Sequence, residues 1–219
     1  QFDKVFLTAE KGIDPASVTS VAFCGEALYI ATAKGTFEYN NGSLKKLSFS
    51  AGKFFATDGK LYSANGNNLY AIKNGKAKKI AEFDSPVVDI SVALDKSLWL
   101  ITEDTLFLSE NDEFKAVVGL PSETVCVAAL DNKAKYAETV YVGSTVEGLL
   151  SMKGKRRHWA ELLPDNTGVM SRKINCLQID ALGHLWVGSD EGLNIYDGKN
   201  YWFNGNDFYS VPSGSFNDM

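Results

Sequence analysis

Ile174-Asn175-Cys176-Leu177-Gln178-Ile179-Asp180-Ala181-Leu182-Gly183-His184-Leu185-Trp186-Val187-Gly188-Ser189-Asp190-Glu191-Gly192-Leu193-Asn194-Ile195-Tyr196 decides the fold. Apolar residues alternate over 174–180, 185–189 and 193–196, and turn residues separate the runs. Alternation with period two between turns marks short antiparallel strands. Asp197-Gly198-Lys199 and Tyr201-Trp202-Phe203 then add a turn and a fourth strand. The unit recurs upstream. Val87, Ile90 and Val92 match Ile174, Leu177 and Ile179 without a gap, 87 positions earlier, while Trp99 matches Trp186 and Leu106 matches Leu193. Cys126-Val127-Ala128-Ala129, Val140-Tyr141-Val142-Gly143-Ser144 and Gly148-Leu149 form another copy, with extra residues around 131–138. Leu28-Tyr29-Ile30-Ala31-Thr32 and Leu61-Tyr62-Ser63-Ala64-Asn65 mark two looser copies. The aromatic anchors Tyr29, Tyr62, Trp99, Tyr141 and Trp186 are spaced by 33 to 45 residues, and periods of this size belong to propellers and solenoids.

Five four-stranded units in tandem predict an all-β fold, a β-propeller, because an antiparallel blade buries both its faces only against neighbours. The blades are expected at about 18–47, 53–81, 87–118, 124–160 and 174–204, in a single domain, with each second-strand aromatic packed between blades. Asn40-Asn41-Gly42, Lys73-Asn74-Gly75 and Asp197-Gly198 precede fourth strands, and Asn-Gly and Asp-Gly suit hairpins that need positive φ. Residues 1–8 read as the outer strand of a closing blade and 211–219 as the first strand of a further one, with Phe216 matching Ile174. Two middle strands are missing between them. The expectation is therefore part of a larger ring, up to seven blades, or a propeller whose open edge a partner chain completes. The rival arrangements are a closed five-bladed ring with both tails outside and, more distantly, a β-sandwich.

At 219 residues, 45% hydrophobic and 22% charged, the composition is that of a folded chain. Net charge −5 argues against nucleic acid or an anionic membrane surface as the main partner, since both need a basic field. No stretch approaches the ~20 apolar residues of a membrane span. Cys24, Cys126 and Cys176 have neither zinc nor redox spacing and read as small apolar residues. The chain begins at Gln1, which suggests processing or trimming, and Asn41-Gly42-Ser43 is a glycosylation sequon in an expected exposed turn. The sequon favours an exported, extracytoplasmic protein.

The string from Ile174 to Asp197 resembles the two-component regulator propeller repeat, and Gly119-Leu120-Pro121-Ser122 is similar to that family's phrase between blades. The likeness is good over 174–203, fair over 87–122 and weak in the first two repeats; Ala31 and Ile101 stand where the pattern has glycine. The resemblance implies seven-bladed rings, often two in tandem. Many such propellers are periplasmic sensor regions of hybrid histidine kinases that detect glycans; others are secreted and hold assemblies together.

Candidate site residues follow from placement. The connection between the fourth and fifth blades, about 159–173, carries Trp159, Asp165, Asn166 and Arg172, suited to stacking on and hydrogen-bonding a sugar, although Trp159 reads first as cover for the neighbouring blade. Glu103, Asp104, Asp190 and Glu191 lie in turns between second and third strands, where they can line an entrance for a polar ligand or a basic partner. Lys153, Lys155, Arg156 and Arg157 form a basic cluster on an expected outer strand, a solvated edge or a docking site for an acidic segment or anionic glycan. His158 is expected on that strand, and His184 facing solvent in a turn. Neither suits a catalytic triad. No spaced series of acidic ligands points to calcium, so neither a metal nor a cofactor is expected. The reading is a non-catalytic recognition or scaffold propeller that binds a protein or a glycan through loops on one face. The alternatives are a subunit whose open edge a partner completes, and a propeller lyase or hydrolase.

Overall fold

The computed structural model describes residues 12–57, 59–110, 113–132, 136–154, 157–162, 168–196, 202–204 and 215; over 131–138 and 202–204 only the backbone is described. Among them are five four-stranded antiparallel sheets, each with its strands in chain order, the blades of a β-propeller. Blade I holds β1 (Val18–Cys24), β2 (Ala27–Thr32), β3 (Gly35–Asn40) and β4 (Ser43–Lys46). Blade II holds β5 (Lys53–Thr57), β6 (Lys60–Asn65), β7 (Asn68–Lys73) and β8 (Lys76–Glu82). Blade III holds β9 (Val87–Val92), β10 (Leu98–Thr102), β11 (Thr105–Glu110) and β12 (Glu113–Gly119). Blade IV holds β13 (Thr124–Asn132), β14 (Tyr136–Ser144), β15 (Gly148–Lys153) and β16 (Ala160–Leu162). Blade V holds β17 (Ile174–Ile179), β18 (Leu185–Ser189), β19 (Leu193–Tyr196) and β20 (Trp202–Asn204).

The hairpins form where turn chemistry allows them. Between β3 and β4 the turn residues are Asn41 at φ 46° and Gly42 at φ 80°, and between β7 and β8 they are Asn74 at φ 52° and Gly75 at φ 69°. Two successive left-handed residues match the twist of the flanking strands, which is why Asn-Gly recurs there. The extra residues around 131–138 lengthen the first hairpin of blade IV, so that β13 and β14 each reach nine residues.

The chain divides into two compact units, Gln1–Val87 and Val88–Met219, where the sequence reading takes one domain. In the first unit, Tyr29, Ala31 and Leu47 of blade I pack with Phe54, Leu61 and Ile72 of blade II. The Tyr29 and Phe54 rings meet edge-on with centroids 6.2 Å apart. Burial, with the Glu38 carboxylate that accepts its hydroxyl at 3.2 Å, pushes the Tyr29 phenol up to about 12. Ser20 Oγ accepts from the Phe54 amide at 2.9 Å and stitches β1 to β5.

The second unit repeats this design twice. Trp99 and Ile101 of blade III pack with Val127, Ala129, Val140 and Val142 of blade IV. Cys126, Ala128 and Tyr141 of blade IV then pack with Ile174, Leu177, Leu185 and Val187 of blade V. Burial raises the Tyr141 phenol well above its ordinary range. Each large apolar side chain taken out of water in this way contributes about 1.5–3 kcal/mol. Asp89 Oδ2 and Ser91 Oγ accept from the amides of Val127 and Ala129, at 2.9 and 3.1 Å, and stitch β9 to β13. Gly143 is required by the packing: a Cβ there would lie 2.5 Å from Ile174 Cγ2 and 2.6 Å from Cys126 Sγ. Cys126 and Cys176 are buried, as small apolar residues should be.

Two expectations about blade IV need correction. Its outer strand is the short segment Ala160–Leu162, so Arg157 and His158 lie in the connection ahead of it and not on the strand. For the same reason the connection to blade V begins after Leu162, and Trp159 precedes it. Of the terminal segments, 1–8 and 211–219 lie outside the described residues except for Ser215, whose Oγ accepts from Asn175 Nδ2 at 3.2 Å.

Candidate functional site

In every blade the turn between the second and third strands sits at the opposite end from the turns between the first and second and between the third and fourth. In blades III to V a hydroxyl at the end of the second strand fixes this turn. Thr102 Oγ1 donates to Asp104 Oδ1 at 2.9 Å and accepts from the Thr105 amide at 3.2 Å. Ser144 Oγ donates to the Ser122 carbonyl at 2.6 Å and accepts from the amides of Val146 and Glu147. Ser189 Oγ donates to the Gly192 carbonyl at 2.9 Å and accepts from the Glu191 amide. All three hydroxyl residues are buried, so the turns rest on pegs with satisfied hydrogen bonds.

The same turns are tied to the connections between blades. The Leu120 amide donates to the Asp104 carbonyl at 2.9 Å, and the Thr145 amide to the Glu123 carbonyl at 3.1 Å. Glu147 Oε1 accepts from the Ser122 amide at 2.7 Å. In blade V, Ser171 Oγ donates to Asp190 Oδ1 at 2.6 Å and accepts from the Lys173 amide. Gly148 lies against Arg172, whose Cα would be 3.6 Å from a Cβ placed there. These links make one continuous row of loops: 103–104, 120–123, 145–148, 171–173 and 190–191.

The expected acids divide by role. Asp104 and Asp190 brace the loops through hydroxyl groups. Glu103 and Glu191 are exposed, as is Arg172, and their side chains meet no hydrogen-bond or ion-pair partner among the described residues. Glu123, Val146 and Glu147 belong to the same row and were missed by the sequence reading. Only their position after a second strand or before a first one could have pointed to them. Asp165 and Asn166 lie outside the described residues.

Trp159 is placed elsewhere. It is half-buried against the core between blades III and IV, and its Nε1 donates to the Gly119 carbonyl at 2.8 Å. Arg157 Nη1 donates to the Val117 carbonyl of the same strand at 3.2 Å. Both cover the outer edge of β12, so Trp159 acts here as cover for the neighbouring blade. Lys153 is exposed at the end of β15, and Lys155 and Arg156 lie outside the described residues. Nearby, Lys115 donates to Glu110 at 2.7 Å; this hydrogen bond holds the Glu110 carboxyl below its usual range and the Lys115 ammonium above its own. Asn41 is exposed at the tip of the β3–β4 hairpin.

The histidines lie away from the loop row. His158 is exposed in the β15–β16 connection, and His184 is in the turn at the opposite end of β18. His184 is half-buried, its Nδ1 lying 3.1 Å from Asp180 Oδ2, which also accepts from Trp186 Nε1 at 3.1 Å. Asp180 Oδ1 accepts from the amides of Leu182 and His184, both at 2.9 Å. Burial alone would raise the Asp180 carboxyl; the donors on His184, Trp186 and Leu182 outweigh it and hold it below the ordinary aspartate range. Among the described residues no three His, Cys, Asp or Glu side chains group to hold a metal ion, and no helix is long and apolar enough to cross a membrane.

No protein-family model matches the chain, and no curated protein matches it in sequence. Solved structures do. The extracellular domain of one hybrid two component system from B. thetaiotaomicron is similar over 96% of this chain and 32% of its own length, at 16% identity and a TM-score of 0.69. A second such domain from B. thetaiotaomicron is similar over 93% of this chain and 29% of its own length, at 18% identity and a TM-score of 0.65. Virginiamycin B lyase from Staphylococcus aureus is similar over 87% of this chain and 70% of its own, at 11% identity and a TM-score of 0.62. The chain thus spans less than a third of the two extracellular domains. At these identities the likeness is one of fold.

Proposed function

We propose that this chain is a non-catalytic recognition propeller of an extracytoplasmic protein, of the two-component regulator propeller type, and that the loop row of blades III to V binds a polar ligand, glycan or peptide. One observation carries the reading: the loops are locked by buried hydroxyls and backbone bonds while Glu103, Arg172 and Glu191 stay exposed and unpartnered among the described residues. Rigid loops that present uncommitted charged side chains lose little order on binding, which is how a propeller face gains affinity. The extracellular domains of hybrid two component systems among the solved structures support the placement outside the cytoplasm. The lyase neighbour keeps an enzymatic reading in view, but both histidines lie away from this row.

The test is a glycan array and a peptide library probed with the chain and with a triple variant, Glu103→Gln, Arg172→Gln and Glu191→Gln. The expected result is selective binding to one class, weakened at least tenfold in the variant while its melting temperature stays unchanged. Binding that survives the three substitutions, or no binding to either library, overturns the assignment.

A further inference from the structure

The fourth strand of each blade is its outer edge, and these edges differ. β4, β16 and β20 have four, three and three residues, whereas β8 and β12 have seven each. β12 carries a cap, with Arg157 on the Val117 carbonyl and Trp159 on the Gly119 carbonyl. Among the described residues nothing bonds to the outer edge of β8. Residues that flank a two-residue hairpin exchange hydrogen bonds, and the pairing alternates beyond them. Lys73 and Lys76 flank the Asn74-Gly75 turn, so the N–H and C=O of Ala77 and Lys79 point away from β7.

The charge on this edge is not balanced within its blade. Lys76 lies directly opposite Lys73, and strand alternation puts Lys78 on the same face. All three are exposed and have no ion-pair partner among the described residues; only Lys79 is paired, with Glu82. The equivalent corner of blade III is neutralised internally. There Glu110 lies opposite Glu113, and Lys115, which stands where Lys78 stands, donates to Glu110 at 2.7 Å. Like charges directly opposite each other destabilise a sheet, so the lysine corner of blade II has a cost that no contact in the blade offsets. The first 87 residues hold eleven lysines against eight acids, in a chain whose net charge is −5.

We propose that β8 is a docking edge for an extended acidic peptide, which adds to blade II as a fifth strand with acidic side chains at alternate positions opposite Lys76 and Lys78. Main-chain pairing to Ala77 and Lys79 supplies the affinity, and the lysines supply the selection. Lysines on an open edge deter neutral and basic strands, whereas opposite charges that face each other across a pair are favourable. The same side chains therefore exclude most strands and admit an acidic one. An anionic polysaccharide would meet the lysines but leave the open backbone groups unpaired.

Fluorescence anisotropy of a strand-length peptide that alternates Glu with Thr tests this at low salt. A second peptide of the same sequence carries N-methyl groups on alternate amides, on the edge that would pair with β8. The first peptide should bind and the methylated one should bind roughly tenfold more weakly or worse. Hydrogen exchange of the chain should slow at the Ala77 and Lys79 amides when the first peptide is added. The double variant Lys76→Glu with Lys78→Glu should lose the acidic peptide by a similar factor and take up one that alternates Lys with Thr, a gain that an unfolded variant would not show. Failure of the acidic peptide to bind, equal binding of the methylated peptide, unchanged exchange at Ala77 and Lys79, or indifference to the charge reversal would each overturn the proposal.

Discussion

Asp180 fixes one turn of blade V with acceptor bonds from Leu182, His184 and Trp186. Replacing it by Ala leaves those donors without their acceptor and should destabilise the protein by about 1–3 kcal/mol. Its pH dependence has a definite sign. The folded carboxyl lies below the unfolded value of 3.8, so its contribution is complete above that value and is lost as pH falls below it toward the folded pKa. Melting curves between pH 6 and 2 should therefore show the wild type losing more stability than Asp180→Ala below about pH 4; parallel curves would refute the assignment. Ser63 presents the opposite case. It is buried in β6 with no hydrogen-bond partner for its Oγ among the described residues, at a position where Ile30, Leu100, Val142 and Val187 stand in the other blades. Ser63→Ala should raise stability by roughly 1 kcal/mol, read as a rise of about 2–4 °C in Tm.

Among the elements, β12 is an outer strand whose carbonyls at Val117 and Gly119 are capped by Arg157 and Trp159 from the β15–β16 connection. An outer edge left open is a template for pairing with other chains. Trp159→Ala removes both the cap and a half-buried ring from the core between blades III and IV, and should cost about 2–3 kcal/mol in denaturant unfolding. Trp159→Phe, which keeps a ring but not the donor, should cost about 1 kcal/mol; no loss in this variant would show that the hydrogen bond contributes nothing. This strap also marks the limit of what the sequence reveals. Alternation and Asn-Gly turns expose strands and hairpins because their signals are local, and the positions of β17 to β19 follow from them. The partner of Trp159 is a carbonyl 40 residues away, and a contact with a backbone oxygen leaves no pattern in the sequence. The outer strand of blade IV is too short at Ala160–Leu162 to show an alternation of its own, so the basic run ahead of it took its place in the sequence reading. The loop row was legible in part for a related reason. Its acids are visible as turn residues, but which of them brace the loops and which stay exposed depends on hydroxyls such as Thr102, Ser144 and Ser171, whose role only their neighbours define.

For the molecule as a whole, charge sets the long-range term. The chain carries a net charge of −5, and Glu103, Arg172 and Glu191 add exposed charges on the loop row. Raising ionic strength shortens the Debye length from about 30 Å at 0.01 M to about 8 Å at 0.15 M. A loop face that binds through these three side chains should therefore lose affinity for a ligand of complementary charge as salt rises, by a few-fold in Kd over that range. Calorimetric titration in a salt series reads this directly, and an affinity that does not change with salt would place the binding on uncharged contacts instead.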